Sequence, residues 1–368
     1  MRAVLRGLDL PLLLAILGLA ALGMLTLYAA LHQGDLSLWR KQGMVWVVGF
    51  ALMLGMCFVP LRVFGLLTWP IYGLALLLLL AVPLVGEVHM GARRWLNLGL
   101  VVMQPSELMK WTLVFVLAHW FASREASQWR TVLVAVLLTA LPAALIAKQP
   151  DLGTTLVLIF SATAMLIAAG LRWRVLAAAL ALAVALLPVI WHYMHDYQRQ
   201  RVLTFLHPEA DPLGAGYHVI QSTIAIGSGG LSGKGFLQGT QARLHFLPEQ
   251  HTDFIFSVLA EEGGFLAACL LFALYTLLVF RVIAIAARAQ NRFASMLCIG
   301  IASIFILYIT VNVGMVSGLL PVVGIPLPFI SYGGSALLTM LAAVGVVLRV
   351  GIEAHGHVPW QRPGSPLA

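Results

Sequence analysis

Long apolar runs broken by short polar intervals dominate the chain. Runs long enough to cross a bilayer fall near 9–31, 43–60, 65–86, 105–121, 131–147, 152–170, 174–194, 252–280, 293–320 and 332–354. The pattern predicts an all-α polytopic membrane protein with about ten transmembrane helices. One long segment, about 195–251, separates the seventh and eighth spans. The first run follows Arg2 and Arg6, as in a signal peptide, but it extends from Leu10 to about Leu31 without a convincing small-residue cleavage site. It is therefore expected to be a retained span. No heptads, tandem repeats or separate soluble domain are visible, so one membrane domain over 1–368 is predicted.

Loop charges set the orientation. An even number of spans puts both termini on one side, whose loops and ends carry Arg2, Arg6, Arg62, Arg124, Arg130, Arg172, Arg174, Arg281, Arg288, Arg292, Arg349 and Arg362. The short loops of the other side carry only Arg40, Lys41, Arg93, Arg94 and Lys148. The positive-inside rule then makes both termini cytoplasmic, and the long 195–251 segment, exempt by its length, external. Its stretch "YHVIQSTIAIGSGGLSGKGFLQG" is mildly apolar, unlike a disordered polar linker. Loops of this length are usually functional. The segment is expected to lie on the outer membrane surface, with a short amphipathic helix around 217–226.

Composition narrows the class. The chain is 61% hydrophobic and 10% charged, whereas soluble domains are about a quarter charged. The net charge of +8 is scattered through short loops, which fits membrane topology and anionic lipid contact better than nucleic acid. Cys57, Cys269 and Cys298 all fall in apolar spans, as small buried hydrophobes do, and argue against a disulfide framework or a metal cluster.

Unusual polar residues gather at the external ends of spans. "QPSELMKW" opens the fourth span with Pro105, which suits a first helical turn. Glu107 and Lys110 follow at i,i+3 on one face, either as an internal ion pair or as substrate ligands. "AKQPDLGTT" sets Lys148 and Asp151 in a tight turn, where Asp151 either caps the next helix or serves a site. The external segment adds Arg199, Arg201, Lys234 and Arg243; with Lys110 and Lys148 they form a set able to surround a phosphorylated substrate. "GSGGLSGKG" is not a nucleotide phosphate loop, because Ser228 replaces the first Gly and Gly235 the Ser/Thr after Lys234.

The entry to the eighth span, "HTDFIFSVLAEEGG", carries three carboxylates. Asp253 sits at its outer end, within reach of water and a lipid headgroup, where an N-capping role is the alternative. On a continuous helix Glu261 would lie about 80° around and roughly 12 Å deeper, with Glu262 nearly opposite Asp253. Glu261 and Glu262 are therefore expected to be packing or gating acids, protonated or paired, beside a flexible Gly263–Gly264 joint.

These motifs resemble the SEDS family of bacterial cell-wall proteins over nearly the whole chain. "RWLNLG", "QPSELMK", "QPDLGT", "MHDYQRQRV", "DPLGAGYHVIQSTIAIGSGGLSGKG", "FLPEQHTDFIFSVLAEE" and "PFISYGGSA" stand in order. "MHDYQRQRV" and "GLLPVVGIPLPFISYGGSA" are closest to the RodA-like elongation branch. The resemblance implies a ten-span peptidoglycan glycosyltransferase that polymerises lipid II at the outer face of the plasma membrane. It makes Asp253 the essential residue and matches Glu107, Lys110 and Asp151 to family positions. His245 stands where some members carry Glu. A class B penicillin-binding protein, the crosslinking transpeptidase, is implied as partner.

The implied chemistry joins a sugar 4-hydroxyl to an anomeric carbon with release of undecaprenyl pyrophosphate. An alcohol needs a base, for which Asp253 is the candidate. The leaving pyrophosphate needs cations, with Lys110, Arg201 and Lys234, then Arg93 and Arg199, as candidates; a divalent cation is a further way to supply that charge. The rival readings are a lipid-linked precursor flippase, suggested by Glu261 and Glu262, and a non-enzymatic scaffold of the wall machinery.

Overall fold

A computed structural model of the chain describes residues 7–32, 34–89, 92–97, 102–194, 199, 203–205, 215–243 and 249–355. In chain order the elements are α1 (Leu10–Leu31), α2 (Leu36–Met56), α3 (Leu61–Val85), β1 (Glu87–His89), β2 (Ala92–Asn97), β3 (Val102–Met103), α4 (Pro105–Phe121), α5 (Trp129–Lys148) and α6 (Leu152–Ala168). There follow α7 (Trp173–Tyr193), α8 (Ala215–Ser228), α9 (Thr240–Arg243), α10 (Ile255–Arg288), α11 (Arg292–Val316) and α12 (Gly334–His355). The protein is mostly helical, and among the described residues six helices, α1, α3, α5, α10, α11 and α12, are long and apolar enough to cross a membrane. The short helix expected around 217–226 lies within α8. The strands pair in the order β1-β2-β3, both pairs antiparallel. This small sheet between α3 and α4 was not anticipated, because its strands are short, at three, six and two residues.

α11 is the central helix: its buried side chains include Leu297, Cys298, Ile301, Ile304 and Phe305. α4, α6, α10 and α12 pack around it. The outer helices instead expose large apolar side chains, such as Leu77 and Leu84 of α3 and Leu180, Leu182 and Leu187 of α7. That inversion is what lipid in place of water as solvent produces.

α10 breaks at Gly264, whose φ of 66° and ψ of −163° leave the helical region. The Gly-rich segment after α8 fills the break. In an unbroken helix, Phe265 N and Leu266 N would donate to Glu261 O and Glu262 O. Here they donate to Gly230 O at 2.9 Å and Leu231 O at 3.1 Å, while Glu261 O and Glu262 O accept from Lys234 N and Gly235 N, each at 3.0 Å. The approach is so close that a Cβ at Gly233 would lie 2.0 Å from Glu262 O, and one at Gly264 2.2 Å from Gly233 N. The glycines of "GSGGLSGKG" are thus required by a splice between loop and helix. The joint expected to be flexible is held by four backbone hydrogen bonds.

Candidate active site

Gln104 is extended and Pro105 starts α4, so Glu107 falls in the first turn, where the helix dipole favours an acid. One turn later Lys110 places Nζ 2.6 Å from Glu107 Oε1. The same ammonium donates to the Tyr308 hydroxyl from α11. Lys110 is only 1% exposed, and a buried cation requires this kind of paired environment. Glu107 Oε2 is enclosed and has no protein partner among the described residues. The pair is therefore an internal ion pair with one acceptor atom to spare.

Asp151 caps α6, accepting from Thr154 N at 3.1 Å and the Thr154 hydroxyl at 2.9 Å. The cap is not its whole role. Its Oδ2 also accepts from Gln104 Nε2 at 2.9 Å and from the Ser106 hydroxyl at 3.4 Å, which ties the start of α6 to the start of α4. From β2, Arg94 donates to Gln149 O at 2.9 Å and to Pro150 O, bracing the same turn. Arg94, and not Arg93, is the sheet residue that reaches this turn.

Asp253 lies in a turn before α10, whose first residue is Ile255, so helical angles measured from Asp253 do not apply. It does not cap α10: Phe254 holds the N-cap position without a side-chain hydrogen bond. Asp253 is partly exposed. The adjoining segment 321–325 passes close to its carboxylate: a Cβ at Gly324, where φ is +70°, would lie 3.4 Å from Asp253 Oδ2. The other side of this segment meets α6, since a Cβ at Gly153 would lie 2.9 Å from Val323 O. Asn312 of α11 donates to Asp253 O at 2.9 Å and to Ile325 O at 2.7 Å. Tyr308 and Asn312 are one turn apart on α11 and share a face. That face joins Asp253 to the Glu107–Lys110 pair, while segment 321–325 joins Asp253 to the start of α6.

The remaining candidates are engaged elsewhere. Lys234 pairs with Glu261 at 2.7 Å and donates to the Thr240 hydroxyl at 2.9 Å. Glu261 is fully buried and also accepts from Thr240 N at 2.8 Å and Gln241 N at 3.1 Å. Glu262 accepts from Leu237 N at 3.0 Å. These two acids clamp the segment around α9 against α10, as expected of packing acids. Arg93 donates to Pro83 O at 2.9 Å, and Arg199 folds back onto Trp191 O and His192 O near the end of α7. Arg201 and His245 lie outside the described residues. Tyr308, Asn312, Gln104 and Arg94 complete the site; Gln104 and Arg94 open the motifs "QPSELMK" and "RWLNLG" but were not singled out, and Tyr308 and Asn312 lie in no motif.

Beside the polar cluster runs an apolar groove of about 190 Å³, lined among others by Phe64, Ile71, Leu108, Trp111, Phe115 and Val346. Leu108 and Trp111 are chain neighbours of Glu107 and Lys110, so one stretch of α4 serves both surfaces. No group of three or more His, Cys, Asp or Glu able to hold a metal occurs among the described residues.

Residues 8–356 match the family model for FtsW, RodA and SpoVE, described as "Cell cycle protein". The chain belongs to the FtsW/RodA/SpoVE family. Within it, the chain is 46% identical over 346 residues to the peptidoglycan glycosyltransferase MrdB of Escherichia coli K12, covering 93% of each chain. It is 37% identical to a probable peptidoglycan glycosyltransferase FtsW of Geobacter metallireducens, covering 95% of this chain and 96% of that one. Among solved structures, it resembles a chain from a study of "polymerization and crosslinking by a peptidoglycan synthase complex", with a TM-score of 0.84, 36% identity, and coverage of 95% and 98%. It also resembles the rod-shape-determining protein RodA of Thermus thermophilus, with a TM-score of 0.72, 32% identity, and the same coverage.

Proposed function

We propose that the chain is a peptidoglycan glycosyltransferase of the bacterial plasma membrane, polymerising lipid II into glycan strands at the outer face for elongation and rod shape. Its relatives' activity supports this reading. The observation that carries it is the partly exposed Asp253, anchored by its backbone to the helix that also grips Lys110 and, through it, Glu107. Asp253 takes the proton from the 4-hydroxyl of the acceptor sugar as that oxygen attacks the donor's anomeric carbon. The bond from that carbon to the diphosphate breaks, and undecaprenyl pyrophosphate leaves as a stable anion. One displacement inverts the anomeric carbon, so the paired acid of glycoside hydrolases is not needed.

Lys110 is too enclosed to meet a phosphate directly, and its part is to hold Glu107, whose buried Oε2 has an acceptor position left over and would reach a substrate hydroxyl or amide only if its cover opens. Asp151 keeps the two helix starts together. Arg93, Arg199, Arg201 and Lys234 are the proposed pyrophosphate ligands; the first two and Lys234 must give up the partners described above to act so. The polyprenyl chain suits the apolar groove beside α4. Beyond the six long apolar helices, α2, α4, α6 and α7 complete ten crossings, with both termini cytoplasmic and 195–251 outside, in one membrane domain. A class B penicillin-binding protein is the partner that would crosslink the product, in line with the relative studied in a peptidoglycan synthase complex.

The test is purified chain in detergent or liposomes supplied with lipid II alone. Glycan strands resolved on a gel support the polymerase. Unchanged lipid II would favour a flippase or a scaffold.

A further inference from the structure

The residues leading into α10 stand outside its hydrogen-bond ladder, yet three successive carbonyls there are each held. His251 O accepts from Tyr332 N at 2.8 Å. Thr252 O accepts from the Ser331 hydroxyl at 2.6 Å, and Asp253 O from Asn312 Nδ2 at 2.9 Å. Both polar side chains are doubly engaged. Ser331 Oγ also accepts from Leu327 N at 2.8 Å, and Asn312 gives its second amide hydrogen to Ile325 O at 2.7 Å. Gln42 of α2 braces the same segment from behind, donating to Ser331 O at 3.2 Å and accepting from Gly333 N at 3.3 Å.

Asn312 is 0% exposed, and its Oδ1 is buried with no hydrogen-bond partner among the described residues. Two carbonyl acceptors fix which end of the amide faces them. A stranded buried oxygen is unfavourable for folding and offsets part of what the two donated hydrogen bonds contribute. What the amide achieves is specific. One side chain ties the main chain of Asp253 to the segment whose Gly324 faces the Asp253 carboxylate, and Ser331 ties the residue before it.

We propose that Asn312 and Ser331 are positioning residues for Asp253, fixing its main chain so that the carboxylate meets the acceptor hydroxyl at a reactive distance. The inference rests on Asp253 being the base. It predicts a loss in the chemical step and not in substrate binding, because neither side chain need touch lipid II. Small misplacements of a reacting group cost about 100-fold in rate.

The experiment measures lipid II polymerisation by the purified full-length protein, with kcat, KM and melting temperature taken in the same detergent. Asn312→Leu keeps the branched side-chain shape and removes both donors and the unpartnered oxygen, leaving Asp253 O and Ile325 O without this donor. It should lower kcat about 100-fold while KM stays within about threefold, in assays run below its melting temperature, which falls because two carbonyls lose their donor. Ser331→Ala should lower kcat about 10-fold, and Ser331→Thr, which keeps the hydroxyl, should recover most of that loss. A wild-type kcat in Asn312→Leu or Ser331→Ala overturns the proposal, as does a loss that only tracks the amount of folded protein or appears only in KM. If Asn312→Leu does not fold, the Ser331 pair decides by the same criteria. Asp253→Asn is run in parallel. If it polymerises normally, the base assignment itself fails; if it is dead while the Asn312 and Ser331 variants run at wild-type kcat, only the positioning role fails.

Discussion

Lys110 shows how far a single residue can be understood from its neighbours in sequence. Its pairing with Glu107 follows from i,i+3 spacing and is legible in "PSELMK". The Tyr308 hydroxyl that completes its shell stands 198 residues away, and an aromatic in an apolar helix carries no mark of such a role. Asp151 divides the same way: its cap on α6 follows from "QPDLGT", while its bonds to Gln104 and Ser106 depend on how two helix starts meet. Asp253 was conspicuous as an acid in an apolar entry, but its surroundings were misjudged because the helix begins at Ile255. Two energetic consequences follow. Tyr308→Phe removes one acceptor from a buried ammonium and should cost about 2 kcal/mol in thermal or denaturant unfolding. Lys110→Met leaves Glu107 without its cation and should cost about 3 kcal/mol or more. Adding Glu107→Gln to Lys110→Met should return much of that stability without returning polymerase activity; full activity in the double variant would remove the pair from the mechanism.

Among the elements, the spans were legible to within a few residues because apolar runs between charged loops have few alternative readings. Two depart further: the second, expected at 43–60, is found at Leu36–Met56, since Asp35 starts the helix by accepting from Ser37 N at 2.8 Å, and the eighth, expected at 252–280, runs on to Arg288. The splice of the Gly-rich segment into α10 was not legible. Composition announced close backbone approach, but the partner is a helix break that only the fold supplies. The splice makes Gly264 irreplaceable: its φ is positive, and an added Cβ would lie 2.2 Å from Gly233 N. Gly264→Ala should destabilise by about 3 kcal/mol or more and raise protease sensitivity within 229–241. Glu261→Ala takes away the acceptor shared by Lys234, Thr240 N and Gln241 N, and should lower stability by about 3 kcal/mol. Limited proteolysis of both variants in detergent checks this, and a wild-type cleavage pattern would mean that the segment is held by other contacts.

At the scale of the whole molecule, apolar side chains face outward along α3 and α7 while polar groups converge where the starts of α4, α6 and α10 meet the end of α11. That division suits a protein whose solvent is lipid and whose chemistry sits at one membrane face. Orientation can be read directly in a background lacking Cys57, Cys269 and Cys298. Cysteine at Gly34 should react with a membrane-impermeant maleimide in spheroplasts, and cysteine at Ser127 only after permeabilisation; the reverse pattern would invert the proposed topology. The central claim is that this face carries a base, Asp253, for glycan polymerisation. The most direct measurement compares purified wild type and Asp253→Asn with lipid II as the only substrate, after equal melting temperatures have shown that both are folded. The predicted result is strand synthesis by the wild type and none by Asp253→Asn, with lipid II still bound by the variant. Strands made by Asp253→Asn at the wild-type rate would contradict it.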